Sequence, residues 1–145
     1  MDNNIFRGRI PSSMGYLSNL QSLHLENNSL SGGLPQSLQN CSGLKTLDLS
    51  MNSFTGKLPT WIGNSLVNLR FLIINSNGFE GQIPKELCHL TSLQILDTAH
   101  NNFSGELPTS QHCVFLYGVF QTNRNRAPAN SKLGEITKKF RVGTL

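Results

Sequence analysis

One short phrase returns along this chain at a fixed interval, and that interval limits the possible folds more than any other property. Aligned on Leu-x-x-Leu-x-Leu-x-x-Asn, the chain reads LQSLHLENN at 20–28, LKTLDLSMN at 44–52, LRFLIINSN at 69–77 and LQILDTAHN at 93–101. A second block follows each Asn: SLSGGLP, SFTGKLP, GFEGQIP and NFSGELP, with an incomplete first copy, NIFRGRIP, at 4–11. The full copies start at 20, 44, 69 and 93, a period of 24 or 25 residues. A unit that short cannot bury an apolar face by itself. It must stack on its neighbours, so the chain reads as a solenoid.

Each recurring position has a physical reason. In Leu23-x-Leu25 the period of two marks a short strand with both leucines inward. Strands of successive copies should then pair in parallel, about 4.8 Å apart. Asn28, Asn52, Asn77 and Asn101 recur where the chain leaves the strand. An amide side chain carries donors and an acceptor, so a row of them can satisfy backbone groups that the turn leaves unpaired. Phe54, Phe79 and Phe103, with Leu30 in the first full copy, fill the interior behind that row. A Gly three residues before each block-ending Pro allows the bend, and the Pro fixes φ ahead of the return segment. The expected architecture is an α/β solenoid, with a parallel β-sheet on the concave face and loops with short 3-10 turns on the convex face. Its boundaries are a repeat domain at 1–116 (partial copy 1–19, full copies 20–43, 44–68, 69–92 and 93–116) and a divergent basic tail at 117–145, a degenerate copy or a partly disordered segment.

Charge separates the same two regions. Residues 1–123 hold six Lys/Arg against seven Asp/Glu, a net of −1, while 124–145 hold six against one, a net of +5. The near-neutral body has no electrostatic footprint for nucleic acid. The tail lacks aromatic interleaving and reads as a solvated segment. The N-terminus has no apolar signal-peptide core, and the longest strongly apolar run, 114–120, is far short of the roughly 20 residues a bilayer requires.

The combined pattern LxxLxLxxNxLxGxIP resembles the plant-type leucine-rich repeat of extracellular receptor-like proteins and receptor-like kinases, over about residues 2–113. LPQSLQNCSGLKTLDLS, IPKELCHLTSLQILD and AHNNFSGELP resemble the membrane-anchored receptor-like proteins of defence and development. The resemblance implies a location on the extracellular side of the plasma membrane, reached through parts of a parent receptor that these residues do not include. It also implies a protein or peptide ligand, with a co-receptor as a further partner. Cys88 stands at a family cysteine position, and the pairing the resemblance implies is with Cys113; the alternative is two free thiols. No Gly-rich loop, HRD or DFG is present, so kinase activity does not carry over. A second function stands beside the first: a soluble inhibitor or decoy of microbial cell-wall hydrolases, like secreted plant proteins of this repeat class.

Outward strand positions form columns on the concave face: Ser22, Thr46, Phe71, Ile95; His24, Asp48, Ile73, Asp97; and Glu26, Ser50, Asn75, Ala99, flanked by Asn27, Met51, Ser76 and His100. The candidate binding residues are Phe71, Ile73, Ile95, His24, Asp48, Asp97, Glu26, Asn75 and His100. Polar members are equally expected of an ordinary solvated sheet. Phe71, Ile73 and Ile95 are three large apolar groups on adjacent strands, a grouping that marks contact sites. Catalysis by His24 and Asp48 with nearby serines would need a dry pocket with oxyanion donors, which an open curved sheet does not offer. Cys88-His89 and His112-Cys113 lack CxxC or HxxxH spacing, so neither metal nor cofactor is expected. Asn40, Asn27 and Asn102 lie in N-x-S/T sequences, with Asn40 the favoured glycan acceptor on its return segment.

Overall fold

The computed structural model describes residues 5–105, 108, 120–122 and 138–141. Each copy forms one strand of a concave sheet: β2 (Ser22–His24), β4 (Thr46–Asp48), β6 (Phe71–Ile73) and β8 (Ile95–Asp97). They pair in parallel and in phase, Leu23↔Leu47↔Leu72↔Leu96. These leucines, with Leu25, Leu49 and Ile74 two residues on, are buried. Thr98, standing where the pattern expects Leu, is buried in the same inward position.

The Asn row works as its chemistry requires. Asn77 Nδ2 donates to the carbonyls of Leu49 (2.9 Å), Ile74 (3.2 Å) and Asn75 (3.3 Å), and its Oδ1 accepts from Phe54 N–H at 3.0 Å. Asn52 and Asn101 repeat the arrangement one copy earlier and one later. Asn28 receives Phe6 N–H from the partial copy. Each Asn therefore ties its own turn to the preceding copy. Behind the row, Phe54, Phe79 and Phe103 stack with centroids 6.1 and 6.4 Å apart.

Beyond the expected concave sheet, the second block of every copy also forms a strand. β1 (Arg7–Gly8), β3 (Ser29–Gly32), β5 (Ser53–Lys57), β7 (Gly78–Gly81) and β9 (Asn102–Phe103) make a second parallel sheet in that order. The inward Phe or Leu anchors one residue of each, and the stacking distance leaves the flanking backbone groups in reach of the next copy. Return segments close with 3-10 turns at Ser12–Tyr16, Gln36–Asn40 and Lys85–His89. The 44–68 copy, one residue longer, instead makes a short α-helix, α1 (Trp61–Ser65), with an i→i−4 bond from Leu66 N–H to Ile62 C=O. The copies pack so closely here that a Cβ at Gly63 would run into the Glu86 carbonyl.

The two ends differ. In the tail, β10 (Phe120–Thr122) and β11 (Lys138–Arg141) pair with each other, and β11 adds antiparallel to β8, so the concave sheet has six strands. At the other end Leu17 is 50% exposed, although the matching Cys41, Leu66 and Leu90 are fully buried. Tyr16, Ile5 and Phe6 are exposed beside it.

Asn77→Ala removes three carbonyl partners and one N–H partner at once, and each unsatisfied buried group costs about 1–3 kcal/mol. Urea unfolding of this variant should show a loss on the order of 3 kcal/mol; a loss within measurement error of zero would mean the row is not what joins the copies.

Candidate functional site

Strand alternation places the outward residues of the concave sheet in the predicted columns. Thr46, Phe71 and Ile95 are register partners, as are His24, Asp48, Ile73 and Asp97 in the next column. Phe71, Ile73 and Ile95 thus adjoin one another on β6 and β8, and all three are half-buried. Being half-buried, each can still remove less area from water than a fully exposed side chain would.

The polar members divide by environment. His24 and His100 are exposed, and Glu26, Asp48 and Asn75 are half-buried. Asp97 is only 8% exposed, and its Oδ1 accepts from Ala99 N–H at 3.1 Å. Asp48 does the same for Ser50, accepting from its N–H at 3.0 Å and its Oγ–H at 2.6 Å. Both carboxylates therefore secure the strand exit as well as facing the concave side. Glu26 Oε1 lies 3.6 Å from His24 Nδ1. Glu26 Oε2 and Asn75 Oδ1 are buried acceptors without a partner among the described residues.

Column spacing could not show that Glu26 reaches His24 and Asp48. One ligand-type atom from each of the three lies within 4.8 Å of the others. Alternation along β2 puts His24 and Glu26 on one side, and parallel register puts Asp48 beside His24. That combination is recoverable from sequence only when both rules are applied together.

The flanking column carries backbone strain. Asn27, Met51, Ser76 and His100 hold φ between 54° and 57°, in the left-handed region. This conformation turns the chain immediately ahead of each ladder Asn. Of the glycan acceptors, Asn40, Asn27 and Asn102 are all exposed. Cys88 is buried and disulfide-bonded; Cys113, its expected partner, lies outside the described residues. Cys41 is a free thiol whose burial pushes its pKa up, and its Sγ–H reaches Met14 C=O at 3.6 Å. None of the described helices is long and apolar enough to cross a membrane.

A family model described as Leucine Rich Repeat matches residues 19–41, 43–65, 68–90 and 92–112, the same four copies. The chain belongs to the leucine-rich-repeat family. Among solved structures, it is similar to a plant peptide hormone receptor, RGFR1, in complex with RGF2 (37% identity, TM-score 0.72, 74% of this chain and 17% of that one). It is similar as well to a chain of the BIR3–SERK2 complex from Arabidopsis thaliana (39% identity, TM-score 0.70, 74% and 57%). The Arabidopsis receptor kinase HAESA, in complex with the peptide hormone IDA and the co-receptor SERK1, gives 40% identity and a TM-score of 0.70 over 73% and 18%. A search of curated proteins by sequence finds no match. The chain spans 17–57% of the length of these three solved chains. Its repeats are thus similar to those of plant receptor proteins.

A left-handed non-glycine residue costs about 1–2 kcal/mol, less for Asn. Met51→Asn should therefore raise the urea midpoint, by about 0.5–1 kcal/mol in stability; a lower midpoint would show that the Met51 side chain contributes more than its backbone costs.

Proposed function

We propose that this chain is a ligand-recognition segment of a plant cell-surface receptor-like protein, serving defence or developmental signalling and binding a peptide or protein on the concave face. The observation that carries this reading is the in-register placement of Phe71, Ile73 and Ile95 on adjacent strands, outward from a core that does not need them. The solved relatives support the choice of ligand class, since RGFR1 and HAESA are complexed with peptides. The HAESA and BIR3 complexes also hold SERK proteins, which supports a co-receptor as a second partner. The receptor relatives support an extracellular location, and attachment to the membrane would reside in other parts of a parent receptor.

The chemistry suits a ligand with an apolar side chain. Complete burial of Phe71 and Ile73 would contribute less than the 1.5–3 kcal/mol each that full exposure implies, because both start half-buried. A peptide selected from a display library against the full chain should bind the Phe71→Ser/Ile73→Ser variant at least about tenfold more weakly, a 1.4 kcal/mol difference. The variant's circular dichroism should match the parent's. Equal affinity for the two proteins would exclude this patch as the anchor.

Glycosylation belongs to the same reading, with Asn40 exposed on the return turn Gln36–Asn40. Directed through a plant secretory route, the chain should lose mass on enzymatic deglycosylation, and Asn40→Gln should remove most of that change. A deglycosylation shift that Asn40→Gln leaves intact would assign the glycan to Asn27 or Asn102.

A further inference from the structure

We infer that His24, Glu26 and Asp48 form a site for a divalent transition-metal ion of the zinc class, a reading that builds on the proposed binding face. The three side chains come from two adjacent strands, and one donor atom of each lies within 4.8 Å of the others. The set is one imidazole and two carboxylates, which suits zinc and its neighbours better than calcium, whose shell takes six to eight oxygens. With metal–ligand bonds of about 2.1 Å, tetrahedral donors sit about 3.4 Å apart. His24 is exposed, so its side chain has room to move toward the two carboxylates.

Two further observations favour a cation here. Among the described residues Glu26 Oε2, itself buried, has no hydrogen-bond partner, an acceptor left to be satisfied. Glu26 and Asp48 bring two carboxylates together, and among the described residues neither has a Lys or Arg ion pair. Asp48 is already held in place: its Oδ1 accepts two bonds from Ser50, at 2.6 and 3.0 Å. Orientation of a ligand by such outer bonds is what metal sites ordinarily require. Three protein donors leave a fourth position open toward the concave groove.

That open position adds a chemical requirement to the ligand. Ile73 is the register partner of Asp48 on the next strand, so the metal and the apolar patch share one column. A peptide offering a carboxylate or imidazole beside an apolar side chain would complete the coordination while its apolar group meets Ile73. Recognition would then combine a directional bond with burial.

The test uses the full chain and metal alone. Co²⁺ titration, followed by the visible absorbance of a tetrahedral site and then by displacement with Zn²⁺, should show saturable uptake of one equivalent. His24→Ala should weaken it by more than the roughly 10–100-fold that loss of an outer partner costs. His24 lies on the surface, so this variant should fold. Glu26→Gln should weaken uptake as well, and His89→Ala, at an exposed histidine bonded to Asn64, should bind as the parent does. No saturable uptake by the parent, or parent-like uptake by His24→Ala, would overturn the proposal. So would equal losses in His24→Ala and His89→Ala. No peptide is present in this titration, so its failure leaves the result for Phe71→Ser/Ile73→Ser unaffected.

Discussion

A chain that turns sharply out of a strand every 24 or 25 residues buries backbone groups with no strand left to pair them. Unsatisfied, each would cost enough to forbid the turn. Here one amide per copy answers several of them, and it does so across the boundary between copies. Curvature, sheet register and the location of the aromatic stack all follow from that bond pattern. Because Asn52, Asn77 and Asn101 hold each turn to the one before, the concave strands stay in phase, and outward residues line up in columns. A concave surface made of columns is therefore a consequence of how the turns are satisfied.

The strained positions express the same constraint. Met51, Ser76 and His100 adopt left-handed backbone, with no glycine supplied to relieve it. The ladder on one side and the strand on the other fix the turn more firmly than the local preference of any of these residues can resist. What occupies the flanking column is thereby released from backbone duty. It can vary from copy to copy, and here it ranges from Asn through Met and Ser to His.

Much of the fold was legible because the same residue types recur at the same phase. The inward leucines, the Asn row and the Phe stack each need one residue type in one place, and periodicity displays them directly. The second sheet was not legible, since SLSG, SFTGK and GFEG carry too few β-branched or alternating apolar residues to read as strands. Their pairing comes from stacking: once the Phe of each block is anchored, the backbone beside it meets its neighbour. The α-turn at Trp61–Ser65 follows from one added residue in that copy, a difference visible in the spacing but not in its consequence. The outward columns were legible from alternation, whereas the near-complete burial of Asp97 was not, because β11 from the tail pairs alongside its strand, with Lys139 as its register partner. The grouping of Glu26 with His24 and Asp48 required alternation and register to be combined.

The stacking of the copies has a bearing on how the molecule moves. In a structure whose units touch only their neighbours, local opening at one interface spreads one unit at a time. Phe71 and Ile73 belong to one unit and Ile95 to the next, so the apolar patch spans an interface. His24 and Glu26 belong to one unit and Asp48 to the next. An ion bridging β2 to β4 would hold those two units together, making local order at that interface conditional on what is bound there.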